Sequence, residues 1–299
     1  MRNKNFLVSI IIPTRNRGYI LKKTLNSLFN QDYPKDKMEI IIIDDASKDN
    51  TSYIVNSFKS KFKYLSYLKN SVPSGANFSR NRGIEVANGE ILVFIDDDVI
   101  APKNWLKKLT SFLKKKEVIT GPVIFKGERY LLGKHGEFSS FLTHVEKPVR
   151  TAYGEIIPVF ANMGTYKEVL KSSLLDPVLR PPVEEIDWFL KVRPKVRFCE
   201  ELWVWHYKKR EELKLSKLLK IAYKRGSETG WYYRERLKIN KKEKIKLCIR
   251  SLETFFRSLL HSLLKECTGG LIIAISEIAV FLSILGFINF KKRKIESWR

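Results

Sequence analysis

The amino-acid sequence predicts an α/β protein: a mostly parallel sheet flanked by helices on both faces, with a helical region appended after it. Three observations carry this. Short, near-continuous apolar runs alternate with helix-like stretches over residues 1–100, and runs of that kind are strands covered on both faces. The runs end in polar, acid-bearing loops rather than in tight hairpin turns; in open α/β sheets such loops, at the carboxyl ends of the strands, hold the ligand. From residue 211 onward the pattern becomes basic and helical.

The first strand is expected over Phe6–Ile12, broken by Pro13-Thr14-Arg15-Asn16-Arg17-Gly18, with a helix over Tyr19–Phe29 after it. Met38–Ile43 is a second β-branched run ending in Asp44-Asp45-Ala46-Ser47, and Asp49-Asn50-Thr51 can cap a helix towards Phe58. Phe62–Leu68 is a third strand, Ser74-Gly75 opens a helix through Ile84 and Val86, and Ile91–Ile95 is a fourth strand introduced by Asn88-Gly89. Strands and helices in alternation imply parallel pairing through helical crossovers.

Asp96-Asp97-Asp98 closes the fourth strand. Three adjacent carboxylates beside a hydrophobic core repel one another. A solvated acidic loop before Pro102 accounts for a lone triplet. A divalent cation, Mg²⁺ or Mn²⁺, would instead relieve the repulsion and hold a diphosphate. The second acidic loop, Asp44-Asp45, follows the same grammar at the end of its own strand and favours the ligand-bearing alternative.

Val8-Ser9-Ile10-Ile11-Ile12-Pro13-Thr14-Arg15-Asn16-Arg17, Ile43-Asp44-Asp45-Ala46-Ser47, Ser79-Arg80-Asn81-Arg82-Gly83 and Phe94-Ile95-Asp96-Asp97-Asp98 together resemble the family 2 glycosyltransferases of GT-A fold, the nucleotide-diphospho-sugar transferase fold. Each segment is weak alone; four in order are specific, and a fainter likeness continues to His206. The resemblance implies a nucleotide-sugar donor, a divalent metal (Mn²⁺ or Mg²⁺) and inversion at the anomeric carbon. Pro13, Thr14 and Arg15 would line the nucleotide pocket, Asp45 would hold the base, and Arg80 would lie near the base or diphosphate. Asp96 would take the ribose hydroxyls, Asp98 the metal, and Asp97 belongs to the donor loop without a settled partner. Asp44 would shape its loop and Arg82 would be a helix surface charge.

Inverting transfer needs a general base for the acceptor hydroxyl. The resemblance places it in the segment Pro181-Pro182-Val183-Glu184-Glu185-Ile186-Asp187, with Glu185 at the expected position and Glu184 and Asp187 as alternatives, since Glu stands where the family usually has Asp. Helix capping alone explains prolines followed by acids; the donor motifs upstream favour catalysis. Ala161–Glu168 resembles the family's loop-to-helix segment beneath the sugar and acceptor; Leu202–Tyr207 reads as a strand ending in histidine, and the resemblance implies that His206 would complete the metal site with Asp98. The stretch from Lys126 to Gly154, with His135 and His144, matches nothing assignable and is expected to border the acceptor.

Composition limits the alternatives. The 299 residues suffice for one catalytic domain, expected over 1–210 with a nucleotide-sugar half (1–100) and an acceptor half (101–210), plus an appendage over 211–299. Cys199, Cys248 and Cys267 lack metal or disulfide spacing, which fits a reducing compartment. The short N-terminal apolar run is followed by Pro13-Thr14-Arg15, so no secretory signal is expected. Of the net charge of +24, residues 207–299 hold 23 Lys and Arg against 9 Asp and Glu, a net of +14. No nucleic-acid-reading module accompanies this charge, so no nucleic-acid partner is expected; an anionic membrane surface suits it better.

The appendage supplies apolar partners for such a surface. Leu252, Phe255, Phe256, Leu259, Leu260, Leu263 and Leu264 follow helical spacing among Arg250, Glu253, Arg257, His261 and Lys265, giving an amphipathic helix over 245–266. Residues 271–290 are twenty residues with one charge, Glu277, followed by Lys291-Lys292-Arg293-Lys294, and are expected to insert into a membrane as a span or within one leaflet. An acid in the bilayer costs ~2–3 kcal/mol, which argues against spanning. Leu213–Tyr223 and Arg225-Gly226 resemble basic segments that follow the catalytic domain in membrane-associated relatives.

The sequence therefore points to a metal-dependent inverting glycosyltransferase at the cytoplasmic face of a membrane. It would use a nucleotide sugar, UDP-linked in preference, and a lipid-linked or cell-surface glycan acceptor. A processive synthase would need a Gln-X-X-Arg-Trp motif, and the chain's one glutamine is Gln31. A non-catalytic membrane scaffold keeping the fold and a basic nucleic-acid binder are the alternatives from other classes.

Overall fold

Four β-branched runs do assemble side by side, and they set the frame of the molecule. The computed structural model describes residues 6–126, 147–150, 154–181, 183–208, 210–264 and 268–288. Strands β1 (Val8–Thr14), β2 (Met38–Asp44), β3 (Tyr64–Lys69) and β4 (Ile91–Ile95) are parallel neighbours in the order β3-β2-β1-β4. Every residue of β1, β2 and β4 is buried, which explains why their apolar runs show no alternation. The first strand extends to Thr14 rather than stopping at Ile12, so Pro13 and Thr14 belong to the strand. The third begins at Tyr64, leaving Phe62 as a buried residue ahead of it.

The sheet continues past β4 with β8 (Asn162–Tyr166), β6 (Glu117–Thr120) and β9 (Lys195–Phe198). Strand β8 runs antiparallel to both β4 and β6. It replaces the loop expected at Ala161–Gly164. The small residues there serve close packing instead, since a Cβ at Gly164 would collide with Leu109.

Helices α1 (Gly18–Phe29), α2 (Thr51–Asn56) and α4 (Trp105–Phe112) cover one face, where Leu21, Leu25, Val55 and Trp105 join the core. The other face is covered by α3 (Ala76–Val86), α5 (Lys167–Lys171) and α6 (Val183–Val192), with Ile84, Phe160, Leu170 and Trp188 inside.

A second, three-stranded sheet has the order β5-β10-β7 (Val99–Ile100, Val204–Tyr207 and Val123–Lys126). Its central strand lies within the strand expected at Leu202–Tyr207, whereas its two partners, of two and four residues, are too short to show a period. Its register sets His206 against Val99, and the Tyr207 N–H donates to the Asp98 carbonyl at 2.8 Å. A residue more than a hundred positions away is thereby fixed beside the acid triplet.

The C-terminal region is three helices: α7 (Leu215–Trp231, continued by a π-helical turn, Tyr232–Arg236), α8 (Lys241–Leu264) and α9 (Thr268–Ile284). Trp231 and Tyr232 dock on Leu179, Val183 and Ile186 at the start of α6. Helix α9 packs against both α7 and α8. The seams are lined by small residues: a Cβ at Gly226 or Gly230 would strike the carbonyls of Ser276 or Val280, and one at Gly270 that of Ser258. Ser283 Oγ donates to the Ser227 carbonyl at 2.9 Å.

The expected apolar helix over 271–290 is therefore 17 residues long, ends at Ile284 before the left-handed Gly286, and lies against two other helices. Among the described residues no helix is long and apolar enough to cross a membrane.

Candidate active site

The carboxyl ends of β1, β2 and β4 bring the sequence-predicted donor residues together. Asp45, buried after β2, accepts hydrogen bonds from Asn70 Nδ2 (2.9 Å) and from the backbone N–H groups of Ser74 (2.6 Å) and Gly75 (2.9 Å). Gly75 is held at φ +100°, a left-handed conformation suited to glycine, and α3 starts there. Asp45 thus shapes the entry to the helix that carries Arg80. Asp44 accepts from the Ser47 N–H and from the Tyr67 hydroxyl, organising its own loop. Arg15 is exposed and Pro13 buried.

The three acids after β4 have three different environments. Asp96 keeps a third of its side chain exposed and meets Arg80 Nη2 at 3.1 Å. Asp97 accepts the Thr14 hydroxyl at 2.7 Å and pairs with Arg17 at 2.9 Å, so Thr14 spends its hydroxyl on the donor loop. Asp98 meets Arg17 (2.7 Å), Lys208 (2.7 Å) and His206 Nε2 (3.0 Å). Burial pushes Asp97 up to about 7, against the pull of Arg17. Burial acts on Asp98 too, but His206, Lys208 and Arg17 outweigh it and hold that carboxyl well below the usual range. Arg17 is raised, since Asp97, Asp98 and Glu212 outweigh its burial.

Asp98 Oδ1 is buried and has no hydrogen-bond donor among the described residues; it faces His206 Nε2 at ion-pair distance without hydrogen-bond alignment. A buried carboxylate oxygen and an imidazole nitrogen 3.0 Å apart fit a shared divalent cation, for which one or two protein ligands plus substrate phosphates suffice. Among the described residues no cluster of three or more such side chains forms a complete protein cage.

The acidic helix α6 faces this loop across Arg80. That buried guanidinium meets Asp96 on one side and Glu184 at 3.6 Å on the other, and lies 5.0 Å from the centre of the Phe160 ring. Glu185 Oε1 accepts the Phe160 N–H at 2.9 Å. Burial pushes Glu185 up to about 7, opposed by that hydrogen bond and by Arg80. Glu184 is raised well above the usual range by burial and by its neighbour Glu185. Asp187 is committed elsewhere: Lys191 lies at 2.6 Å, and the Tyr232 hydroxyl donates to it at 3.1 Å.

Arg17, Lys208 and the α7 residues Arg225 and Glu228 are the contributors that sequence reasoning left out of the site. Burial lowers Arg225, while Glu184, Glu185 and Glu228 support its charge. Arg180 meets the buried Glu228 at 3.6 Å, a second tie between α7 and the approach to α6. The region around His135 and His144 lies outside the described residues.

Comparison with known proteins bears on the family and the fold. Glycosyltransferase AglE of Haloferax volcanii is 37% identical over 104 residues, 35% of this chain and 34% of AglE, so the chain spans about a third of that relative's length. The Escherichia coli protein WfgD, a UDP-Glc:alpha-D-GlcNAc-diphosphoundecaprenol beta-1,3-glucosyltransferase, is 27% identical over 186 residues, 62% of this chain and 68% of WfgD. Among solved structures, the mannosyltransferase PcManGT of Pyrobaculum calidifontis, in complex with GDP-Man and Mn²⁺, superposes with a TM-score of 0.57 at 16% identity, covering 96% of this chain and 77% of PcManGT. The model of the family described as glycosyl transferase family 2 matches residues 9–174, more than half of the chain. With that match and the GT-A architecture described above, the chain belongs to glycosyl transferase family 2.

Proposed function

We propose that the protein is a metal-dependent, inverting glycosyltransferase that moves a sugar from a nucleotide donor, UDP-linked in preference, to a hydroxyl of a lipid-linked or cell-surface glycan. The observation that carries this reading is the bridge Asp96–Arg80–Glu184, which sets a donor-loop carboxylate and an acidic helix N-terminus on two sides of one guanidinium. Inverting displacement needs that layout: the leaving group on one face of the sugar and a base on the other. Glu185 is the base in this reading. It is half-buried, oriented by the Phe160 N–H, and pushed by burial up to about 7, whereas Asp187 is occupied by Lys191 and Tyr232.

Glu185 takes the proton of the acceptor hydroxyl as that oxygen attacks the anomeric carbon; the bond to the diphosphate breaks and the nucleoside diphosphate leaves with the electron pair. Asp98 and His206 would hold the divalent cation, which when bound neutralises charge on the diphosphate. Asp45 and Asp96 shape and line the nucleotide side. WfgD's named donor and diphosphate-linked acceptor support the UDP and lipid preferences, and PcManGT's Mn²⁺ supports the metal.

The helices α7–α9 would seat the enzyme on the cytoplasmic face of an anionic membrane. On α8, Ile245, Ile249, Phe256, Leu260 and Leu263 are exposed and recur at helical spacing, while the small polar Ser251 and Ser258 are buried. With the basic residues of this region, that face suits insertion along a bilayer surface rather than across it.

The reading is tested by thermal shift of purified protein against UDP, GDP, CMP and their sugars, with Mn²⁺ and with EDTA. Metal-enhanced stabilisation by one nucleoside diphosphate, with the metal contribution absent in Asp98→Ala, is expected. Silence with every nucleotide in both conditions would turn the reading towards a non-catalytic scaffold.

A further inference from the structure

Arg17 and Lys208 reach one oxygen atom from opposite ends of the catalytic domain. Arg17 Nη2 and Lys208 Nζ each lie 2.7 Å from Asp98 Oδ2. The same guanidinium holds Asp97 at 2.9 Å and Glu212, from the turn that follows β10, at 3.2 Å. The Asp98 side chain is 1% exposed, whereas those of Arg17 and Lys208 are 27% and 17% exposed. The carboxylates of Asp97 and Asp98 are thus more deeply buried than the two cations that meet them.

Two positive groups drawn to a single carboxylate oxygen repel each other. The two lone pairs of that oxygen are taken by one N–H from each, and the Lys208 ammonium carries further donors that another anion could use. A diphosphate brings several charged oxygens, suited to the fork of an arginine and to the point charge of a lysine. We propose that Arg17 and Lys208 form a resident clamp for the donor's diphosphate, aimed by Asp97 and Asp98 before the donor arrives. On binding, both cations turn to phosphate oxygens. When the bond from the anomeric carbon to the diphosphate breaks, its electron pair goes to the leaving oxygen, and the clamp neutralises the added charge. The inference rests on the nucleotide-donor reading above and deepens it: part of the affinity for the diphosphate is built into the chain and does not depend on a bound metal.

The test measures UDP and GDP affinity by calorimetry in EDTA and in Mn²⁺, with uridine and guanosine followed by ligand-detected NMR as phosphate-free controls. Wild type, Arg17→Gln and Lys208→Met are compared; Lys208 is the safer variant, because Arg17 also neutralises two buried acids. The expected result is nucleoside diphosphate binding by wild type in EDTA, weakened about tenfold or more in each variant, with nucleoside binding unchanged. Binding by wild type in Mn²⁺ but none in EDTA would overturn the clamp and leave the donor reading standing. Equal diphosphate affinity in wild type and both variants would do the same. A parallel loss of nucleoside binding would show that the residues shape the pocket rather than grip phosphate, and would also overturn it. No binding by wild type in either condition would sink the donor reading, and the clamp with it.

Discussion

The sheet and the C-terminal helices differ in what fills their closest contacts and in what they leave exposed. In β1, β2 and β4 the interior is Ile, Val, Leu and Phe, while α1 and α3 turn Tyr19, Lys22 and Arg82 outward or towards the rim. In α7–α9 Leu218, Ala222 and Ile272 form a small apolar cluster, but small residues such as Gly226, Gly230, Gly270, Ser258, Ser276 and Ser283 lie where the helices approach most closely, and α8 turns Phe256, Leu260, Leu263 and Leu264 outward at 57–75% exposure. Water as the surrounding solvent explains the first arrangement. The second is the pattern of helices that pack through small residues where the surroundings are themselves apolar. The two regions are nonetheless mechanically joined, because Tyr232 and Trp231 of the helical region rest on α6, which carries Glu185. On the proposed reading, the region that would seat the protein on a membrane thereby touches the helix that would bear the base.

Glu185→Gln should separate the two regions most sharply. Turnover is expected to fall about 10²–10⁴-fold, while vesicle binding and nucleotide-induced thermal shift stay unchanged. A loss of nucleotide binding in the same variant would mean that α6 serves the donor pocket instead.

Truncations at matched size should then show the difference directly. Ile41→Ala, in the middle of the sheet, is expected to destabilise by about 2–5 kcal/mol in denaturant unfolding. Leu260→Ala, on the exposed stripe, should leave stability in buffer within about 0.5 kcal/mol. Conversely, the double substitution Phe256→Ser and Leu260→Ser should weaken binding to vesicles containing anionic lipid by about tenfold or more, since each buried large apolar side chain contributes about 1.5–3 kcal/mol. Comparable loss of stability from both truncations, with no change in vesicle binding, would erase the contrast.

Gly226→Leu attacks the seam from inside. The added side chain meets the Ser276 backbone rather than a flexible tip, so α7 and α9 must part, at a cost of about 1–3 kcal/mol. Membrane seating and the Tyr232–Asp187 contact should suffer together. Finally, the pH profile reports the base. Activity should fall as pH drops through about 7, where Glu185 gains its proton. Arg80→Met removes a charge that favours the ionised form, so the acidic limb should move to higher pH.

Much of the donor side was legible from sequence because it is local. An apolar run followed at once by acids marks β2 with Asp45, and β4 with Asp96–Asp98, without knowledge of any distant contact. What depends on pairing between remote segments was not. The strand at Leu202–Tyr207 and the pairing of His206 with Asp98 are expected from the sequence, but the partner strands β5 and β7 that hold it there, of two and four residues, carry no signal of their own. Strand β8 read as a loop because Gly164 and its neighbours look like turn residues until Leu109 is seen packed on them. Arg17 stood inside a recognised motif, but its carboxylate partners lie about eighty positions away. The separate environments of Glu184, Glu185 and Asp187 are set by Arg80, Phe160 and Tyr232, none of which a helix-capping pattern can register.

The most direct measurement is the pH dependence of nucleoside diphosphate release from the nucleotide sugar that binds best, for wild type and Glu185→Gln. An acidic limb near pH 7 in wild type, absent from a Glu185→Gln profile that is low and flat, is the predicted result. A Glu185→Gln enzyme that keeps both its rate and its limb would contradict the assignment of the base and, with it, the proposed division of labour across Arg80.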